Sequence, residues 1–529
     1  MEIEKKSNGK WIALMVLVMA QIGTSGDNAV LSVATSALVT SLGAAMSDIQ
    51  LANIVYSLCA GCFMIVGGMI GLIIGWKKNF RIGALLCAAG ELIVATSGSI
   101  LVFTWGGRLL VGIGASLMIP SVLGLIPALY KGKERAVAFG AIGAATGIAA
   151  CAGPIAAGLL IDSFSWRIAF GFMACYFALV LLGSSFIGEV EKPAKKVRFD
   201  YVGTLGAVTG LFMLIIGISK ITVWGLIAPI AAPFTIFGIS PALPLAALGV
   251  VVLYFLVGVE KKIEDKHGSC LIPSAFFKTP QVRNGLYLTA MLFLCFGGAG
   301  FLIVTYMQLA VGMSAVATGA AMAAMAVPMI IGSLGVPKYL PDASPKMICR
   351  VGIVVAAVST IPMGMSLQVD GVNFLMYLGL ALFGGGQGLV ASQSANVIAM
   401  GVSERDAQQS SGIQTATRNV GQAIGVAILG VVMLFSLTGN IQGKIEQNPE
   451  ISASAKSFIM EQKSISFVSN AQFEGLVKDK VESPEELKKL VDINAETRKD
   501  STKLGIYVMG ALIGVFLLGT RNLPGAPKK

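Results

Sequence analysis

Three charged residues, Asp27, Glu91 and Arg108, each stand inside a long apolar stretch of this sequence. A charge within such a stretch is costly in lipid and is therefore a candidate for function. Burial in a medium of low dielectric raises the pKa of a carboxyl group, so a buried acid can bind and release a proton near neutral pH. We predict that Asp27 is the first proton site. Glu91 is expected to share this role or to pair with a basic residue, and Arg108 to link the protonation of a nearby acid to conformation.

Other roles remain open for these residues. Asp27 follows Gly26, and it could cap a break in a helix or pair with a cationic substrate. Competition between a proton and a cation for one carboxylate would be the simplest mechanism of exchange. Arg108 could instead make a structural hydrogen bond between helices. A fourth charge in an apolar stretch, Arg418, is expected to be structural.

Uncharged polar and aromatic residues in the apolar stretches are candidates for lining a substrate cavity. They are Tyr56, Tyr306, Gln308, Gln387 and Asn396. At helical spacing such residues also serve in plain packing, and that alternative stays open for each of them.

The composition identifies the elements that must position these residues. Of 529 residues 55% are hydrophobic and 13% are charged, whereas soluble globular chains contain about 25% charged residues. A membrane-spanning helix needs about 20 mostly apolar residues, which predicts an all-α polytopic membrane protein. Fourteen runs meet this length: 11–35, 51–75, 82–103, 105–130, 136–161, 167–187, 201–221, 240–259, 284–310, 316–337, 347–367, 373–398, 408–436 and 504–520.

Metal, disulfide and nucleotide chemistry have little support in the sequence. The eight cysteines fall in predicted spans or in loops expected to be cytoplasmic, so we expect no disulfide. Cys59 and Cys62 have CxxC spacing but no partner ligands, and the single histidine, His267, cannot build a zinc site. The phosphate-binding pattern GxxxxGK[ST] is missing from the sequence. We predict no metal, no cofactor and no ATP drive within the chain, and we expect that it is not an enzyme.

The placement of basic residues predicts the topology. With the N-terminus inside, most of the 39 Lys and Arg residues fall in cytoplasmic segments, as the positive-inside rule requires. Lys220, at an outer helix end, is able to snorkel. The net charge of +11 then lies beside anionic lipid and does not indicate nucleic-acid binding. We predict a multi-pass protein of the cell membrane with both termini in the cytoplasm.

The order of the runs shows an internal symmetry. Residues 1–188 contain six runs and 284–529 contain six more, while 189–283 contain two runs between charged linkers. Two related six-helix bundles around a midplane cavity are the architecture of alternating-access transporters. We therefore predict an N-terminal bundle, a central extra helix pair and a C-terminal bundle. Segment 437–503 is expected to be an external, solvated hairpin with a helix beginning after Ser483.

Small residues mark the helices on which the bundles are expected to slide. The run 136–161 contains Gly140, Gly153-Pro154 and Gly158, and proline interrupts the helical hydrogen-bond ladder. A small-faced, kinked helix suits a seam between two bundles, although ordinary close packing is the alternative. In the second half of the chain Gly421 and Gly425 give run 408–436 a similar face.

These segments resemble the drug:proton antiporters of the major facilitator superfamily, in its fourteen-helix branch. Gly140, Gly153-Pro154 and Gly158 are similar to the antiporter signature of the fifth helix, with Ala149 and Ala157 at two of its glycine positions. The stretch 108–115 resembles the fourth-helix motif, with Val111 in place of glutamine. Further similarities are Asp27, Leu271-Ile272-Pro273, Tyr306-Met307-Gln308 with Gly312 and Ser314, and Arg418-Asn419. The resemblance implies proton-coupled export.

One motif departs from this family. Residues 67–78 match the loop between helices 2 and 3 in their glycines and terminal lysines, but Leu72 and Ile73 stand where the family has Asp and Arg. In the family these charges latch the bundles on the cytoplasmic side. Their replacement predicts a weaker or a different inner gate.

Together these observations predict a secondary transporter that exports organic, amphipathic or cationic compounds in exchange for protons. A small organic substrate, protons and membrane lipid are the expected partners, and the chain is expected to act as a monomer. The alternative is a dedicated metabolite or vitamin transporter of the same fold. A membrane-embedded enzyme or sensor is a third class, which the lack of histidine in the spans disfavours.

Overall fold

The chain is built from long helices. A computed structural model describes residues 2–43, 46–190, 198–267, 270–273, 276, 278–369, 371–402, 404–462, 464–465 and 467–523. The helices are α1 (Glu2–Leu42), α2 (Met46–Ile74), α3 (Trp76–Thr96), α4 (Leu109–Leu129, after a π-helical turn Val102–Arg108), α5 (Gly132–Ser163), α6 (Trp166–Gly183), α7 (Tyr201–Ser219), α8 (Ala242–His267), α9 (Pro280–Thr305, continued by π-helical Tyr306–Ala310), α10 (Ala315–Tyr339), α11 (Pro345–Val358, resuming at Thr360–Met365), α12 (Phe374–Met400), α13 (Glu404–Glu446), α14 (Ala453–Glu461), α15 (Asn470–Val477) and α16 (Pro484–Val515).

The predicted all-α membrane fold is confirmed. Thirteen helices of the described chain, α2 to α13 and α16, are long and apolar enough to cross a membrane. With 41 residues, α1 is the fourteenth long helix. Each of the fourteen apolar runs of the sequence lies largely within one of these helices. Among the described residues the only β-type pairing is an isolated bridge between Ile236 and Ile239.

The helices pack as two groups and a pair. In the first group α4 packs on α2 and α3, while α1 packs on α5 and α6. In the second group α13 packs on α9 and α16, while α12 packs on α9, α10 and α11. The pair α7 and α8 lies beside α2 and α13, with α7 making the contacts. The groups meet where α5 faces α10 and where α2 faces α13.

Polar residues at the helix ends satisfy backbone groups that lipid cannot. The Ser165 side chain accepts a hydrogen bond from the amide of Ile168 at the start of α6, and Asp200 accepts one from Gly203 at the start of α7. Ser483 does the same for Glu486, so the predicted start of α16 is confirmed. Such caps matter because an unpaired backbone group is expensive in a membrane.

The described residues of segment 437–483 pack against the second helix group. We call the end of the bundle where α1 begins the amino end, and the opposite end, which holds this segment, the loop end. The last turns of α13 bury Ile441 and Ile445 here, against a cluster that includes Phe473 and Leu490. The expectation of a solvated hairpin therefore missed that the apolar core of the second helix group continues into this segment. Most of the basic linker 189–200 falls at 191–197, outside the described residues.

Candidate functional site

Asp27, Glu91 and Arg108 lie together inside the first helix group. The Arg108 Nη1 atom is 2.8 Å from Asp27 Oδ1 and 3.6 Å from Glu91 Oε1. All three side chains are fully buried. They come from α1, α3 and the π-helical turn that ends at Arg108, and such turns often occur at functional sites. The sequence singled out all three residues, and the structure brings them into a single cluster.

Glycines allow the two helices that hold Glu91 and Arg108 to approach closely. A Cβ atom at Gly90 would lie 3.0 Å from the carbonyl oxygen of Gly107, and one at Gly107 would lie 2.3 Å from Val94. Each glycine directly precedes one of the charged residues in the sequence. The small residues therefore place a carboxyl group and a guanidinium group side by side in the core.

This charged cluster contains two acids and one base. If both acids are ionised its formal charge is −1, which is costly in a buried place, and a single bound proton makes it neutral. Within the described chain neither Glu91 oxygen has a hydrogen-bond partner, and the same is true of Asp27 Oδ2 and of Nε and Nη2 of Arg108. The cluster thus has the charge and the free hydrogen-bonding capacity of a site for one proton.

Tyr56 on α2 separates the charged cluster from a cavity. The Arg108 guanidinium lies 4.5 Å from the centre of the Tyr56 ring, and the Tyr56 hydroxyl donates a hydrogen bond to the carbonyl oxygen of Thr24 at 3.1 Å. Tyr56 and Thr24 both line the cavity. Asp27, Glu91 and Arg108 do not, so a ligand in the cavity meets the ring of Tyr56 before it can reach the acids.

The cavity has a volume of about 540 Å³ and lies between the two groups and α7. This volume is in the range of sites for drug-sized ligands. Its walls come from α1, α2, α4, α5, α7, α9 and α13. Polar lining residues include Gln21, Asn53 and Gln422, and aromatic ones include Phe293 and Phe296. Among the described lining residues none is acidic; the charged ones are Lys220 and Arg418.

Four of the five predicted cavity residues lie elsewhere in this structure. The Tyr306 hydroxyl donates to the carbonyl oxygen of Gln368 at 2.7 Å, and Gln308 lies in the π-helical end of α9. Gln387 and Asn396 are buried on α12. None of the four lines the cavity, whereas Tyr56 does. For Gln387 and Asn396 the difference arises from the packing of α12, which contacts α9, α10, α11 and α5, and a single helix contains no signature of these contacts.

The cavity also contains residues that the sequence does not predict for it. Arg418, expected to be structural, lies in the cavity wall, and so does Lys220, expected only to snorkel at a helix end. Gln21, Thr24 and Ser25 form a polar face on α1 with the spacing i, i+3 and i+4, which a helical projection could have found. The cavity residues of α7 could not be found in this way, because their place in the wall depends on where the extra helix pair packs.

The small face of α5 meets α10 of the second group. Ser333 donates a hydrogen bond to the carbonyl oxygen of Gly140 at 2.6 Å, and a Cβ atom at Gly158 would lie 2.6 Å from a methyl group of Val316. Gly153 and Pro154 lie inside the same helix. Gly153 faces a small apolar hollow, and Pro154 interrupts the hydrogen-bond ladder of the helix. Of the residues predicted for a seam on α5, Gly140 and Gly158 therefore border the other group, whereas the hollow at Gly153 is lined by α1, α5 and α6 of its own group.

The counterpart on α13 is Gly412. A Cβ atom there would lie 3.0 Å from Ile65 of α2, across the two groups. Gly421 and Gly425, the predicted seam residues, instead face Ala290 and Leu294 of α9 inside the second group. Small residues on α13 thus serve two different contacts, and the sequence does not tell them apart.

At the amino end a neutral hydrogen bond joins the two groups. The Trp76 indole N–H donates to the side-chain oxygen of Gln408 at 2.7 Å, which links the start of α3 to the start of α13. Gly71 and Gly124 leave room for the Trp76 ring, since Cβ atoms there would approach it within 2.4 and 2.8 Å. Leu72, at the position of the missing acid, is buried. Residues 67–78 predict a weaker or a different inner gate, and the Trp76–Gln408 hydrogen bond is a neutral contact at this end of the bundle.

Comparisons with known proteins agree with this fold. The family model described as Major Facilitator Superfamily matches residues 17–245. The "Probable actinorhodin transporter" of Streptomyces coelicolor is 29% identical over 438 residues, covering 82% of this chain and 73% of that protein. The "Tetracenomycin C resistance and export protein" of Streptomyces glaucescens is 27% identical, covering 80% of this chain and 76% of that protein. Among solved structures, the human organic anion transporter MFSD10 has a similar fold, with a TM-score of 0.60, 12% identity and coverage of 98% and 99%.

Proposed function

The chain belongs to the major facilitator superfamily, and from that membership we propose that it is a secondary active transporter that exports amphipathic organic compounds in exchange for protons. Its relatives support the direction, since one of them is named a resistance and export protein. The cavity of about 540 Å³ is the substrate site of this proposal, and the charged cluster behind Tyr56 is its proton site.

The observation that carries the proposal is the imbalance of charge in the cluster. Asp27 is the close partner of Arg108, whereas Glu91 is 3.6 Å away and neither of its oxygens accepts a hydrogen bond in the described structure. The proton belongs to the coupled pair of acids, and Glu91 is the better placed of the two to hold it in this conformation. If Arg108 moved from Asp27 to Glu91, Asp27 would become the acid with the higher affinity for the proton.

The orientation of the proposed transporter follows the distribution of basic residues. We place the amino end in the cytoplasm and the loop end outside. The contact of Gly68 with Gly412 and the bond of Trp76 with Gln408 then close the cytoplasmic side. The cavity lies on the outer side of these contacts and reaches Lys220 at the loop end of α7. In this state an exporter has released its substrate outwards and takes up a proton.

The test is transport by the purified protein in liposomes with an imposed pH gradient. We expect proton-driven export of several unrelated amphipathic compounds by the wild type. Glu91→Gln and Asp27→Asn should lose the dependence on the gradient. Glu91→Gln should still exchange substrate for substrate, because its cluster is permanently neutral and the ion pair of Asp27 with Arg108 remains. Asp162→Asn, which alters an exposed acid at the end of α5, is the matched control.

Two results would contradict the proposal. Full gradient-driven transport in both Asp27→Asn and Glu91→Gln would remove the cluster from coupling. Movement of a single metabolite and of no other compound would favour a dedicated transporter of the same fold.

A further inference from the structure

The charges of the cavity wall narrow the class of substrate, and this inference rests on the proposed function. Of the described residues that line the cavity, Lys220 and Arg418 are charged and both are cationic. The acids nearest to it, Asp27 and Glu91, are fully buried behind Tyr56 and are already in contact with Arg108. A cation in this cavity would therefore meet two positive charges and no accessible carboxylate.

Arg418 is half-buried and lacks the acidic partner that a guanidinium withdrawn from water normally has. Its Nη1 atom makes one long contact of 3.4 Å to the Gln21 side-chain oxygen, and its Cζ atom lies 5.0 Å from the centre of the Phe293 ring. Its Nε atom is buried with no hydrogen-bond partner in the described chain, where no acid forms an ion pair with it. Since an unpaired buried charge is costly, the geometry leaves a place for an anion.

Lys220 is in a similar position at the outer end of the cavity. It follows the last residue of α7, is half-buried, and makes no ion pair with a described acid. Burial lowers the pKa of Lys220, since nothing negative nearby compensates the loss of water. A negative group in the cavity would supply that compensation.

The remaining walls suit an aromatic body. Phe293 and Phe296 have ring centres 6.4 Å apart and lie on one side, while Ile215 and Ile216 of α7 lie on another. Aromatic rings and a guanidinium group together favour flat, delocalised anions, because arginine can both stack on a ring system and form a fork of hydrogen bonds to a carboxylate.

We propose that the cavity binds amphipathic organic anions, whose acidic group pairs with Arg418 and Lys220 and whose ring system packs on Phe293 and Phe296. Carboxylates, sulfonates and acidic phenols are the chemical classes that fit. The extra helix pair is then part of the substrate site, because α7 contributes Lys220.

The experiment compares two probes of the same shape and opposite charge, 2-naphthalenesulfonate and 2-naphthyltrimethylammonium. Binding is measured on the full-length protein by calorimetry, and export is measured in liposomes under a pH gradient. We expect the sulfonate to bind and to be exported. Arg418→Gln and Lys220→Gln should each weaken sulfonate binding about tenfold, while Arg418→Lys retains most of it because the charge remains. Lys338→Gln, a lysine outside the cavity, is the control.

The outcomes separate this inference from the proposed function. Proton-driven export of the ammonium probe in preference to the sulfonate would overturn the inference and leave the exporter intact. Sulfonate binding that depends on Arg418, without gradient-driven export, would support the anion site and contradict the proposed function. Sulfonate binding that is equal in wild type and in folded Arg418→Gln and Lys220→Gln, judged by gel filtration, would overturn the inference. So would a complete absence of sulfonate binding.

Discussion

Trp76→Phe tests whether the neutral contact at the amino end holds the two helix groups together. The change removes the indole N–H and keeps an aromatic ring in the space next to Gly71 and Gly124. Gln408 is 8% exposed, so its side-chain oxygen is left buried without a donor in the closed state. Such an orphaned acceptor costs about 1–3 kcal/mol. When the groups separate at this end, water satisfies the same oxygen, and the cost disappears.

The closed state should therefore lose about 1–3 kcal/mol relative to the open one, which is roughly a 5- to 150-fold change in their ratio. The assay is the distance distribution between spin labels at Lys133→Cys and Asp342→Cys, on a background with the native cysteines replaced. These two exposed residues lie on opposite groups, 3.9 Å apart. Their surface ion pair contributes little, so labelling it should not disturb the equilibrium.

A second variant makes this prediction sharper. Replacing both partners, as in Trp76→Phe with Gln408→Leu, removes the orphaned acceptor and should bring the populations back towards those of the wild type. An unchanged distance distribution in Trp76→Phe would refute the reasoning. A double variant that opens more than either single variant would refute it equally.

Two further predictions concern packing and helix capping. Gly140→Ala should slow transport, because the new Cβ atom would lie 2.6 Å from the Ser333 carbonyl oxygen. Gly147→Ala on the same helix is the control, because its Cβ atom would meet ordinary contacts at 3.4 Å and should be tolerated. Equal transport rates in the two variants would contradict this prediction. Ser165→Ala should lower the free energy of unfolding by about 1 kcal/mol through loss of the cap on Ile168, as measured by denaturation in detergent, and an unchanged midpoint would count against the cap.

Much of the fold could be predicted from the sequence, because backbone groups in lipid must form their hydrogen bonds within the protein. Long apolar runs must be helices, and the runs of this chain coincide with α1 to α13 and α16. The residues of the charged cluster could be identified for the same reason, since charges in apolar runs are rare enough to be named individually. The runs do not show which charges meet, because the cluster of Asp27, Glu91 and Arg108 depends on how three helical segments pack together.

The cavity could be predicted only in part. Tyr56 was identified, but Gln387 and Asn396 lie on α12, which contributes none of the described residues that line the cavity. Arg418 is visible in the sequence as a charge within an apolar run and Lys220 as a charge at a helix end, and their common cavity depends on the docking of α7 beside α13. Contacts between distant parts of the chain decide such questions, and one sequence contains no direct measure of them.

The two cationic side chains of the cavity have a consequence for the energy source. Exporting a monoanion while importing one proton moves two positive charges inwards, and each elementary charge that crosses 100 mV is worth about 2.3 kcal/mol. Membrane voltage would then contribute roughly 4.6 kcal/mol per cycle at 100 mV, whereas a monocation exchanged for one proton would draw nothing from it. A cell that had lost its pH gradient and kept its voltage would still expel anions through this cavity.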